Sequence, residues 1–285
     1  MIGEDDDRLD GVRVHLGALG VVTQVTLRIR PASRLHQSIE HVPIEAVPDA
    51  LASIASSAEY VKVWWLPHAP LAQVVRYTRT TDPLTRRPAV STRRWIDERI
   101  MHRWIFPPLV ALQQRHPGLI TQINTRLSRV YLGAASQVGP ANLMLTTPMP
   151  LRHCETEAAV LMTRAGTALK AVVELFSHGR PAVNFPLEIR FVRGDDMWVS
   201  PAQGADTCQI GAYSTDGPDR RDYFEGFWQV MRALGARPHW GKELDHGPAE
   251  LRQLYPNFDR FLQLRQAVDP QRVFGSDART QMLGS

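Results

Sequence analysis

The stretch Phe185-Pro186-Leu187-Glu188-Ile189-Arg190-Phe191-Val192 constrains the fold more than any other feature of this chain. Its period of two is that of a β-strand, with Leu187, Ile189 and Phe191 on one side and Glu188 and Arg190 on the other. Two opposite charges thus project side by side from a rigid platform. Comparable strand signals run from Leu35 to Ile44, Tyr60 to Leu66, Ala72 to Thr80, Leu143 to Thr147 and Thr207 to Tyr213. Helical spacing is read near Ile44 to Ser57, over Ser91 to Arg115, from Cys154 to Thr167, from Arg220 to Leu234, and as two short helices within Pro248 to Val268. In the Ser91 to Arg115 segment Pro107-Pro108 is expected to break or kink the helix. The order of elements lacks strict βαβ alternation and indicates an α+β fold.

The chain opens differently. Val14 to Arg30 reads VHLGALGVVTQVTLRIR, a glycine-punctuated turn leading into an alternating, half-buried strand. A domain rarely opens on its closing strand, so this start reads as the end of a unit whose earlier part is missing.

Composition excludes several classes. Of 285 residues, 44 % are hydrophobic and 22 % charged, which argues for a folded body rather than disorder. The 33 Lys and Arg against 29 Asp and Glu leave +4, too mild to call for nucleic acid though compatible with an acidic membrane surface. Cys154 and Cys208 make neither a disulfide framework nor a cysteine zinc site, which fits a reducing, cytoplasmic compartment. No apolar run reaches a membrane span, and the N-terminus is acidic where a secretory signal is basic.

Three groups of residues could carry chemistry. Glu188 and Arg190 can grip a polyhydroxylated substrate, the carboxylate accepting hydroxyl hydrogen bonds and the guanidinium donating; the alternative is a surface ion pair across a pleat. Arg237-Pro238-His239-Trp240-Gly241-Lys242 sets His239 and Lys242 around a glycine that permits close backbone approach; the alternative is a solvated loop. Gly17 and Gly20 allow backbone contact with a cofactor or merely form a tight turn, and they lack the spaced glycine fingerprint of a dinucleotide fold. His153, Glu155 and Glu157, read as helical, do not face one site, so no metal is expected. Gly-x-Ser-x-Gly, phosphate-binding-loop and His-Glu-x-x-His motifs are absent from the sequence.

Taken in order, several stretches resemble the vanillyl-alcohol-oxidase-type flavoproteins, and within them the D-arabinono-lactone, L-gulonolactone and alditol oxidase group. They are VHLGALGVVTQVTLRIRP (14–31), KVWWLPH (62–68), PLRHCETEAAV (150–160), FPLEIRFVRGDDMWVSPA (185–202), HWGK (239–242) and YPNFDRFLQLRQAVDPQRVF (255–274). The resemblance implies residues 1–31 as the end of a flavin-binding domain, its last strand included. Residues 32–285 would then form a substrate domain built as a large antiparallel sheet flanked by helices. It implies FAD as cofactor, with Glu188 and Arg190 beside the substrate hydroxyls and the flavin. Lys242 would meet substrate or the reduced flavin, His239 would touch the flavin, and the backbone around Gly17, Gly20 and Val22 would reach it. The implied reaction removes a hydride from a hydroxyl-bearing carbon of a sugar lactone, with oxygen or another acceptor reoxidising the flavin.

This sequence also departs from the group. The glycine-rich phosphate loop and flavin-linked histidine that such proteins carry upstream have no counterpart before Val14, so the main FAD-binding region is expected to be absent and a separate FAD-binding chain is one expected partner. Ile210-Gly211-Ala212-Tyr213-Ser214 stands where a polar or histidine-bearing substrate contact is common, and Ser276 and Ala278 replace the usual Asn and Tyr. Two other readings stay open: an alditol oxidase-like enzyme acting on a polyol, or a non-catalytic remnant that binds carbohydrate or a membrane surface through the basic, tryptophan-bearing stretch Arg93 to Phe106.

Overall fold

A computed structural model describes residues 2–85, 104–130, 136–146, 151–177, 181–216 and 220–284. Its strands are β1 (Arg34–Pro43), β2 (Tyr60–Trp65), β3 (Leu71–Thr80), β4 (Ser136–Pro140), β5 (Cys154–Leu161), β6 (Leu187–Val192), β7 (Thr207–Ser214) and β8 (Arg237–Pro238). They form one eight-stranded sheet in the order β4-β1-β3-β2-β6-β7-β5-β8. Every ladder in it is antiparallel. The large antiparallel sheet flanked by helices is therefore present.

One sheet face is apolar because the alternation of each strand delivers it. Val63, Trp65, Val74, Leu187, Ile189, Ala158, Val160, Cys208, Ile210 and Ala212 share one core with Leu51 and Ile54 of the Val47–Ser56 helix, Leu169 and Val172 of the Ala165–Glu174 helix, and Phe227 and Met231 of the Arg220–Ala233 helix. Every residue of β7 is buried, as its place among the inner strands requires. A second cluster gathers the C-terminal helices Pro248–Leu254, Phe258–Val268 and Asp277–Leu283 around Trp198, Tyr255 and Phe258, with Leu16, Leu19 and Trp240 against them.

Three expectations change. Residues 20–33 carry no strand ladder, and Val21, Val25, Leu27 and Ile29 are 64–91 % exposed. Alternation alone does not make a strand; it needs a neighbouring strand to take up its N–H and C=O groups. Cys154 to Leu161 is strand rather than helix, and the helix begins only at Ala165. Leu143 falls in the short helix Ala141–Met144 rather than a strand. Pro107-Pro108 lies in the first turn of the Phe106–Arg115 helix, where a missing N–H costs nothing, directly after a π-helical turn at Trp104 and Ile105; the part of the expected helix before Trp104 lies outside the described residues. Trp95 and the rest of Arg93 to Arg103 lie outside the described residues, while Trp104 is 71 % exposed. Among the described residues no helix is long and apolar enough to cross a membrane.

Candidate active site

The opposite face of the sheet is polar, and register decides what meets there. Trp64 of β2 is paired with Glu188 of β6, Glu188 with Gly211 of β7, and Gly211 with Glu157 of β5, one row across four strands. In the next row Lys62 is paired with Arg190, and Arg190 with Gln209. Period two in adjacent strands thus converts residues far apart in sequence into a continuous charged strip.

Glu188 is held from three sides. The Trp64 indole Nε1–H donates to its Oε1 at 3.0 Å, the Tyr213 hydroxyl donates to Oε2 at 3.3 Å, and the Lys62 ammonium lies 3.7 Å from Oε1. Lys62 also sits 4.1 Å over the Trp64 ring, a cation–π contact. Burial pushes the Lys62 ammonium below its usual value although Glu188 opposes the shift. Burial likewise pushes the Tyr213 phenol upward, reinforced by Glu188, Glu155 and Glu157, so it stays a donor.

Arg190 bridges two carboxylates. Its Nη2 donates to both oxygens of Glu157 at 2.7 Å, and its Nε lies 3.8 Å from Glu188 Oε2. Burial works against the guanidinium charge, but Glu157 and then Glu188 outweigh it and raise its value. Glu157 is only 2 % exposed while the Arg190 side chain is 42 % exposed, so the buried partner anchors the accessible one. Gly211 makes room for this. A Cβ there would stand 2.9 Å from Cε2 of Tyr213, so the phenol ring can fold toward Glu188 only over a glycine.

Lys242 and His239 join the same strip through β5. The Lys242 ammonium is hydrogen-bonded to Glu155, and the His239 N–H donates to the Glu157 carbonyl at 3.0 Å. The Gly241 N–H donates to His239 Nδ1 at 3.1 Å; Nδ1 is therefore the acceptor, and in the neutral ring Nε2 carries the proton. Trp240 stacks on Tyr255 at 5.2 Å and donates to the Val199 carbonyl at 2.7 Å. That anchor lies in the same cluster as Leu16 and Leu19, so the His239–Lys242 turn and the Gly17–Gly20 turn share one support.

The structure therefore brings Glu188, Arg190, Lys242 and His239 to one strip. It does not bring Gly17, Gly20 and Val22 into hydrogen-bonding contact with that strip among the described residues. Gly17 and Gly20 have φ of +68° and +126°, the region glycine tolerates, and the Gly17 carbonyl accepts from Arg279 at 2.9 Å. Val22 is half exposed.

Sequence reasoning missed Lys62, Trp64, Glu155, Glu157 and Tyr213. Glu155 and Glu157 were set aside because alternate helical residues diverge; on a strand they share a face, and so does His153. The three do not make a metal cluster among the described residues, because Arg190 and Lys242 occupy the carboxylates.

Comparison with known proteins identifies the family. The family model described as D-arabinono-1,4-lactone oxidase matches residues 25–282. The chain belongs to that family. An L-gulono-1,4-lactone dehydrogenase of Mycobacterium tuberculosis is 30 % identical over 283 residues, covering 99 % of this chain and 65 % of the relative. An L-gulonolactone oxidase of Bos taurus is 28 % identical over 92 % of this chain and 60 % of its own length. An alditol oxidase of Streptomyces sp. is 28 % identical over 96 % of this chain and 62 % of its own length. The chain thus spans about 60–65 % of these family relatives. Among solved structures, cholesterol oxidase from B. sterolicum superposes with a TM-score of 0.72 at 16 % identity, over 98 % of this chain and 64 % of that one; at that identity the likeness concerns fold alone.

Proposed function

We propose that this chain supplies the substrate-side face of an FAD-dependent oxidoreductase that oxidises a CH–OH group of a sugar lactone. The observation that carries the proposal is the Trp64–Glu188–Arg190–Glu157 strip, an acceptor and a donor of fixed orientation on a rigid sheet. Glu188 accepts from substrate hydroxyls, and the accessible edge of Arg190 donates to a substrate oxygen. Because both are held by their neighbours before substrate arrives, little ordering remains to be done on binding.

The residues present fit a flavin. The His239 Nε2–H is a donor without a partner among the described residues, and Arg190 and Lys242 are cations on the same strip, while at Gly17 the Arg279 guanidinium lies against the backbone and adds a further cation beside the turn. Bound FAD would supply the hydride acceptor. His239 would donate to it, Lys242 and Arg190 would favour negative charge on its reduced form, and the Gly17 to Val22 backbone would contact it. The exposed alternating row Val21, Val25, Leu27, Ile29 suits pairing with a strand of a flavin-binding segment, in the same polypeptide or in a separate FAD-binding chain.

A polyol is the second reading. It is favoured by the relative named alditol oxidase and by a strip that reads hydroxyl groups without requiring a lactone carbonyl. The deciding experiment adds FAD to the purified protein, removes free cofactor by gel filtration, and records the visible spectrum before and after anaerobic addition of L-gulono-1,4-lactone or an alditol. Bleaching by the lactone supports the first reading and bleaching by the alditol alone supports the second. A bound flavin that neither bleaches would overturn both. If no flavin is retained, the chain does not act as an oxidoreductase without a further flavin-binding segment.

A further inference from the structure

His153 precedes β5 by one residue and lies two residues from Glu155, on the same side of the strand. Its ring stands 5.6 Å from the Tyr213 ring and 5.4 Å from Phe185. Tyr213 is the residue that reaches Glu188, so the imidazole belongs to the polar strip. Its Nδ1 lies 2.7 Å from the Leu151 carbonyl oxygen. A carbonyl has no proton to give, so Nδ1 must carry the hydrogen, and in the neutral ring Nε2 holds the lone pair. No donor among the described residues takes it up. Glu155 Oε2 lies 3.9 Å from Nε2, and the other oxygen of Glu155 holds Lys242. A ring fixed by a carbonyl on one nitrogen turns the lone pair of the other toward the strip, where it can accept a proton.

We propose that His153 is the general base of the oxidation, an inference that rests on the flavin-dependent reading above. The substrate hydroxyl gives its proton to His153 Nε2. Its O–H electron pair becomes the second bond of the new carbonyl, and the carbon's hydride leaves with its electron pair to the flavin. The new imidazolium lies beside Glu155. The charged and titratable groups around it are Glu155 on its own strand, Tyr213 on β7 with Glu188 of β6 behind it, Lys242 after β8, and Arg152 next in sequence.

The test follows anaerobic reduction of the flavin-loaded protein by L-gulono-1,4-lactone across pH, for the parent, His153→Gln and His153→Ala. Reduction should slow by about a hundredfold or more in both variants, with lactone affinity nearly unchanged. The acidic limb of the parent's rate profile should vanish, and added imidazole should partly restore His153→Ala. Reduction within about threefold of the parent with the same acidic limb sinks the assignment of His153 while leaving the oxidoreductase reading intact. No reduction in any of the three proteins removes both. Independently of activity, nitrogen-15 spectra of the parent chain should show the neutral His153 ring protonated at Nδ1, and the opposite tautomer overturns the proposal.

Discussion

Gly211 shows how one missing side chain shapes the strip. It lies between Glu188 and Glu157 in the register, and Tyr213 occupies the space a Cβ would need. Gly211→Ala should displace the phenol from Glu188 and, as overpacking of a buried site, cost about 1–3 kcal/mol, read as a lower urea midpoint with an unchanged slope. An unaltered midpoint would show that the ring moves freely. Glu157 makes the converse case. Glu157→Ala removes the buried anchor of an accessible guanidinium, so Arg190 should lose its orientation and lactone reduction of the flavin should fall by tenfold or more. Glu157→Gln, which keeps one acceptor oxygen, should fall less. Equal losses in the two variants would mean that charge rather than hydrogen-bond geometry holds Arg190.

At the level of elements, packing against the Ala165–Glu174 helix can be tested through Gly166, where a Cβ would stand 2.8 Å from the Pro48 carbonyl oxygen of the Val47–Ser56 helix. The obstacle is backbone, so Gly166→Ala should push the two helices apart and lower thermal stability by about 1–3 kcal/mol. A melting temperature equal to the parent's would argue that this interface is loose. Elements were legible in the sequence where one face was plainly apolar. Leu187, Ile189 and Phe191 against Glu188 and Arg190 marked β6, and the apolar positions of Val47–Ser56 and Arg220–Ala233 marked those helices. β5 was not legible, because in Cys154-Glu155-Thr156-Glu157-Ala158-Ala159-Val160-Leu161 the inward side chains are small and five consecutive positions, Thr156 to Val160, are buried. A run buried on both sides loses the period that separates strand from helix. The cost of that ambiguity was Glu155, Glu157 and His153, whose shared face exists only on a strand. Glu188 and Arg190 needed one strand to be recognised as a pair, whereas Trp64, Tyr213 and Glu157 needed the register of four.

For the whole molecule, the buried core contains acids that must stay neutral, and this sets its response to base. Burial holds the Cys208 thiol up at about 12 against a usual 9.0. It raises the Tyr223 phenol, the Tyr255 phenol against the opposing effect of Arg237, and the Tyr213 phenol above their usual 10.0. An acid whose folded value is raised loses its proton first in the unfolded chain, so above the unfolded value the unfolded state binds fewer protons and stability falls as pH rises. Lys62 acts oppositely. Its folded value is depressed below 10.5, so stability recovers as pH climbs from that folded value toward 10.5 and is unaffected beyond it. Above 10.5 the thiol and the phenols therefore act without that offset. Urea midpoints should decline from about pH 9 through the two thiols, Cys208 and Cys154, and more steeply above pH 10 as these tyrosines and Tyr77, whose phenol burial also raises, join, each contributing at most about 1.4 kcal/mol per pH unit. Cys208→Ala should reduce the part of the decline that begins near pH 9, which the Cys154 thiol, also raised by burial, shares, while leaving the steeper part, because burial is what raises Cys208. A parent whose midpoint holds steady from pH 8 to 11 would mean that water reaches these groups in the folded protein.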